Sequence, residues 1–121
     1  MEYPKRTEIW LVSLEPVKGS EIGKTRPALI ISNNRNNEFS STITLAPITT
    51  SVSKIYPFEV MIQSKDSGLF KDSKIKCNQI RTVDKARLLK KIGQVPQKSM
   101  SKVEEALLIH LDVRLASGKL Y

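Results

Sequence analysis

Only one stretch of this chain repeats its apolar residues at helical spacing: Met100, Val103, Leu107 and Leu111, within Ser99 to Leu115. Everything before it breaks into short β-branched and aliphatic runs divided by turn formers. Five or six short strands followed by one helix predict a mainly β fold, a small barrel with the C-terminal helix packed on it. The 121 residues suffice for one domain, 1–121, whose core needs no staples.

The first strand is expected at Glu8 to Leu14, nearly continuously apolar, as in a strand buried on both faces. A loop from Glu15 to Pro27 follows, punctuated by Pro16, Gly19, Ser20 and Gly23. Pro27 opens the second strand, Ala28–Ser32, at a place where no ladder donor is needed. Asn33 to Asn37 reads as a turn, because asparagine tolerates left-handed angles and bonds its own main chain. A third strand, Ser41–Ala46, alternates Ile43 and Leu45 with threonines, and a fourth covers Phe58–Ile62. A fifth runs from Ser73 to Ile80, with Ile75 and Cys77 on one face and Lys74, Lys76 and Asn78 on the other. Thr82-Val83-Asp84 suggests a short helical turn, and Leu88–Val95 a sixth strand. At the helix start, Ser101-x-x-Glu104 matches a capping box, with Ser99 an equally good cap.

Twenty Lys and Arg against twelve Asp and Glu leave a net charge of +8. Such a balance favours polyanions: nucleic acid, an acidic protein segment or an anionic membrane surface. No run of about 18 apolar residues is present to span a bilayer, and Met1 to Arg6 lacks the apolar run of a signal peptide. A cytoplasmic location is expected, and the lone Cys77 is compatible with a reducing compartment. Cys77, alternating with Ile75, is expected to be structural.

Several chemistries are excluded by count. There is no glycine-rich phosphate loop, no Cys/His cluster for zinc, and only one histidine, too few for a two-histidine nuclease. His110 lies beside the apolar stripe of the late helix and reads as a residue bordering the core. The acidic residues are scattered, without the converging carboxylates of a metal nuclease. Neither metal nor cofactor is expected. Three polar spots remain at loop–strand junctions: Gly19 to Pro27, which delivers Arg26 beside a strand; Ala46 to Ser51, where hydroxyls cluster; and Asn78 to Thr82.

Together these spots resemble the MazF/PemK toxin family. The family pattern has an Arg-Gly-acidic start, a Pro-Val-x-Gly-Ser-Glu-x-x-x-x-Arg-Pro loop and strand, a short Ile-Thr segment, and a Gln-Ile-Arg-Thr stretch ending in Asp. Here these are Arg6 to Trp10, Pro16 to Pro27, Ile48-Thr49 and Gln79 to Asp84, in matching order over about residues 6 to 115. Thr7 stands where the family usually has glycine, which puts a backbone angle in question, since glycine permits conformations that threonine resists.

The resemblance implies an SH3-like small barrel of the MazF/CcdB type, a symmetric homodimer, and sequence-specific cleavage of single-stranded RNA without a metal. It implies Arg26 and Thr49 as catalytic residues. Glu21 is the loop carboxylate best placed in sequence to act as general base. Arg6, Ser20, Lys24, Thr50, Gln79 and Arg81 would contact RNA, with the loops Glu15–Thr25 and Thr50–Pro57 as readers of bases. The implied partner is a cognate acidic, MazE-like antitoxin, through which alone DNA would be bound, and no membrane. Two other readings stay open: a non-catalytic toxin of the same fold that poisons DNA gyrase, and a non-enzymatic RNA-binding barrel.

Overall fold

The computed structural model describes residues 2–21 and 23–114. The apolar run near the start is β1 (Glu8–Ser13), paired antiparallel on one edge with β2 (Thr25–Ile30) and on the other with β7 (Leu88–Gln94). Between them come β3 (Thr42–Thr49), β4 (Glu59–Ile62), β5 (Ser73–Lys76) and β6 (Arg81–Asp84). The strand order is β4-β5-β3-β2-β1-β7, with β6 also on β3. The helices are α1 (Asn34–Phe39), α2 (Ser64–Ser67) and α3 (Gln97–His110).

The sheet is apolar on both faces. Ile9, Leu29, Ala46, Ile48 and Ile75 pack with Met100, Val103 and Ala106 of α3. Val12, Ala28, Ile30, Ile43, Leu45 and Val83 form a second cluster. Neighbours Ala28, Leu29 and Ile30 thus alternate between two cores, which is why β2 lacks a polar face. Two register shifts along β1–β7, at Ile9/Trp10 and Leu11/Val12, supply the local irregularities that bend a sheet.

Several sequence expectations change. Asn33 to Asn37 is not a turn: Asn33 caps α1 by accepting from the Asn36 N–H (2.8 Å), and buried Asn37 donates to the Ser32 carbonyl (2.8 Å). The same side chains that favour turns also cap helices. The expected fifth strand and the helical turn after it form one broken edge along β3. β5 pairs at Ile48↔Ile75 and Thr49↔Lys74, a 3-10 turn intervenes at Cys77–Gln79, and β6 resumes from Leu45↔Arg81 to Thr42↔Asp84. Pro47, which has no N–H to give, sits where the partner changes. The long helix starts earlier than expected and without a side-chain cap: Pro96 is its N-cap, and Ser101 donates back to the Gln97 carbonyl. Leu111 follows the helix and is exposed, and Leu115 lies outside the described residues. Finally, Lys74 is not on an outer face but buried.

Two backbone positions matter later. Thr7 has φ +85, the left-handed region that glycine would occupy freely. It is held there by bonds from its own N–H to the Ile30 carbonyl and from the Val95 N–H to its carbonyl. Gly93 on β7 lies against the end of α2, where a Cβ would stand 1.9 Å from the Ser67 carbonyl oxygen.

Candidate active site: a cationic cleft across three strands

The register of the sheet assembles the site. β2 and β3 pair Ile30↔Leu45, Leu29↔Ala46 and Ala28↔Pro47. Continued two residues further, the same register sets Arg26 across from Thr49. On the other side Thr49 pairs with Lys74 of β5. Arg26, Thr49 and Lys74 therefore form one row across three adjacent strands. Arg26 lies inside β2, not before it, so a paired strand fixes its backbone.

Its side chain is fixed from the loop. The Arg26 Nε donates to the Gly23 carbonyl (2.9 Å), which leaves the Nη donors for another partner. A Cβ at Gly23 would lie 2.7 Å from a Glu15 carboxylate oxygen and 2.8 Å from a Val17 methyl, so a larger residue there would have to displace both side chains. The same Glu15 oxygen accepts from the Lys24 N–H (2.5 Å), holding Lys24 at φ 65.

Two adjoining recesses share Arg26 and Thr49. One, of about 190 Å³, is lined also by Lys24, Thr25, Thr50 and Ser73. The other, of about 210 Å³, is lined by Ser20, Ser51, Lys74, Lys76 and Gln79 with Arg26 and Thr49. Among the described residues, this second lining carries three cations and no carboxylate. Arg26, Thr49, Ser20, Lys24, Thr50 and Gln79 are thus brought together as the sequence suggested.

Three other candidates stand apart. Arg6 donates to the Ile31 carbonyl (3.1 Å) and pairs with Glu104 of α3 (2.9 Å). Arg81 donates to the Leu14 carbonyl (2.9 Å), clamping the start of the site loop. Glu21 turns its carboxylate back to the Lys18 N–H of its own loop, and it lines neither recess.

Sequence reasoning missed Lys74, Lys76 and Glu59. Glu59 has no exposed side-chain surface and accepts from Lys74 Nζ (3.0 Å), Lys76 Nζ (2.9 Å) and the Tyr56 N–H (2.9 Å). Burial opposes its charge, but the Tyr56 bond and the two lysines outweigh that and hold its pKa below the usual 4.5. Burial, and then the Glu59 charge, push the Cys77 thiol up to about 12, so it stays neutral and unreactive. Cys77 is buried in the core beneath α3.

Fold and site together define a class: a small, mainly β protein with a cationic cleft. Comparison narrows it. The sequence matches the family described as PemK-like, MazF-like toxin of type II toxin–antitoxin system over residues 5–111, and the chain belongs to that family. It is 40% identical over 114 residues to Endoribonuclease MazF9 of Mycobacterium tuberculosis, covering 90% of this chain and 97% of that protein. It is 44% identical over 108 residues to Endoribonuclease EndoA of Bacillus subtilis, covering 88% and 93%. The crystal structure of MazF (Form-I) from Deinococcus radiodurans shares the fold, with TM-score 0.81 at 24% identity over 93% of this chain and 100% of that one. An endoribonuclease in complex with its cognate antitoxin, from a mycobacterial species, gives TM-score 0.78 at 24% identity over 93% and 98%.

Proposed function

We propose that this chain is the toxin of a type II toxin–antitoxin pair, a one-domain endoribonuclease that cuts single-stranded mRNA and so blocks translation and growth. The observation that carries this reading is the row of Arg26 beside Thr49 in a cleft whose lining, among the described residues, has no carboxylate. Two relatives at 40% and 44% identity named endoribonucleases support it.

Cleavage proceeds without a metal by attack of a ribose 2′-hydroxyl on the adjacent phosphorus. The 2′-oxygen–phosphorus bond forms, the bond to the 5′-oxygen breaks, and that oxygen takes a proton from solvent water as it leaves. The products are a 2′,3′-cyclic phosphate and a 5′-hydroxyl end. The five-coordinate phosphorus gathers negative charge, and the Arg26 fork meets it with donors already aimed by the Gly23 bond. The Thr49 hydroxyl donates to a non-bridging oxygen. Ser20, Lys24, Thr50 and Gln79 hold neighbouring groups of the strand. Arginine is a poor proton acceptor. Glu21 takes the 2′-proton only once its bond to Lys18 opens. Arg6 and Arg81, already bonded to protein, contribute at the margins of the strand.

The toxin works as a cytoplasmic homodimer and is neutralised by an acidic antitoxin segment. That segment's carboxylates compete with RNA for Arg26 and Arg81, and DNA is met only through it. The deciding experiment mixes pure protein with long single-stranded RNA in EDTA. Defined fragments ending in cyclic phosphate are expected, and end sequencing gives the recognition motif. Intact RNA with gyrase inhibition, or RNA retarded in a gel but uncut, would overturn the nuclease reading. Light scattering should give twice the mass of one chain. Expression alone should arrest growth, and co-expression with the neighbouring reading frame should relieve it.

A further inference from the structure

We propose that Lys76, held by the buried carboxylate of Glu59, binds a second backbone phosphate of the substrate strand, beside the one met by Arg26 and Thr49. The inference rests on an RNA substrate. It begins from strand geometry. Lys74 and Lys76 are two residues apart on β5 and so share a face, about 7 Å apart along the strand. Lys74 sits in the row with Thr49, and Lys76 sits opposite Glu59 on β4. A polar strand lying over the row of Arg26 and Thr49 meets Lys76 one stride further on.

The two lysines have different partners. Lys74, with 8% of its side chain exposed, donates to Glu59 (3.0 Å) and to the Lys54 carbonyl (2.8 Å). The Lys76 ammonium, on a side chain with 20% exposed, makes one hydrogen bond among the described residues, to Glu59 (2.9 Å). An ammonium has three donors, and Lys76 lines the same recess as Arg26 and Thr49. One carboxylate needs one lysine for neutrality. The second strengthens the hold on Glu59 but adds its own desolvation cost and leaves one positive charge over. A phosphodiester, carrying one negative charge, completes the set. Glu59 also fixes a flexible four-carbon stem before RNA arrives, so less rotamer freedom is lost on binding. Glu59 is thus a positioning residue and Lys76 a binding one.

The test is the salt dependence of binding to a short 2′-O-methyl RNA strand, which offers no hydroxyl for attack. Lys76→Met should weaken binding several-fold at low salt and reduce the slope of log K against log salt by about 0.7, one phosphate contact on a single strand. Lys90→Met, on exposed β7, is the control and should change the slope less. An unchanged slope in Lys76→Met, or an equal drop in Lys90→Met, overturns the proposal. Glu59→Gln separates charge from position. Counting charges, it should bind RNA more tightly, whereas loss of positioning makes it bind more weakly. The weaker result is expected, and tighter binding overturns the role of Glu59. If Glu59→Gln does not fold, Lys76→Met decides, because it keeps the Glu59–Lys74 pair. Wild-type binding without any cleavage of natural RNA would sink the nuclease reading alone, and wild-type failure to bind would sink both.

Discussion

Two glutamates are buried in this sheet, and their surroundings are balanced differently. Glu8, on β1, accepts from the Lys5 N–H (2.9 Å), the Trp10 indole (3.0 Å) and one half-exposed lysine, Lys91 (3.1 Å). Glu59, on β4, accepts from one backbone N–H and two lysines that line the cleft. Burial opposes the charge of each, and hydrogen bonds and lysines outweigh it in both, so both carboxyls lie below their usual 4.5. The Glu8 group closes on itself: one carboxylate, one lysine, two neutral donors. The Glu59 group leaves a cation over, next to Arg26. A buried carboxylate can join two strands, or it can hold a cation for a visitor, and the charge left over tells which.

The sharpest way to break this comparison is to remove the arginine beside the surplus. Arg26→Ala should lower the cleavage rate about a hundred- to a thousand-fold with melting unchanged, and Arg26→Lys should also be poor, because a point charge cannot copy the fork. Wild-type rates from Arg26→Ala would show that the cleft is not the site. On the other side, Glu8→Gln should cost about 1–3 kcal/mol of stability, read by urea unfolding, and leave specific activity near wild type. An activity loss as large as that of Arg26→Ala would erase the distinction.

Acid offers a milder version. Both carboxyls have folded pKa values below the 4.5 of an unperturbed glutamate, so their stabilisation is complete above about 4.5 and is lost as pH falls toward the folded values. Glu8→Gln should flatten that decline between pH 5 and 3, roughly the window where unfolded glutamates titrate. An identical decline in the variant would mean that other carboxylates set it.

Smaller effects concern single atoms. Cys77→Ser should cost about 1 kcal/mol from burying a hydroxyl, and the folded wild type should resist thiol alkylation, since its thiol stays neutral up to about pH 12. Loss of cleavage in a well-folded Cys77→Ser protein would make the cysteine part of the site. Thr7→Gly should gain about 1 kcal/mol, because threonine at φ +85 strains the backbone by more than glycine loses in chain entropy. A lower melting temperature would mean the threonine methyl or hydroxyl is needed there.

The residues legible in sequence are those whose meaning is local. Arg26, Thr49 and Gln79 each belong to a short motif, and one cleft gathers them. Apolar runs revealed β1, β2 and β3 because both faces of the sheet are covered. Alternation sets the lysines of β5 on the face opposite Ile75 but cannot tell that residues 54–59 fold over them; the Lys76–Glu59 bond spans 17 residues. Arg6 looked like an RNA contact for the same reason: its partner Glu104 is 98 residues away. The break between β5 and β6 depends on which part of β3 each one meets, and nothing in Asn78 to Thr82 announces it.

The contact between Gly93 and the Ser67 carbonyl sets a different kind of limit. At most positions of a fold a substitution shifts a population, and the protein tolerates a range. Here a single added carbon would stand 1.9 Å from a backbone oxygen that cannot rotate aside. A saturation library at residue 93 should return one amino acid wherever α2 and β7 keep their spacing. The position then acts as a ruler: any functional variant that accepts alanine there has moved α2 away from β7, and with it the Gly68-Leu69-Phe70 segment that leads into β5.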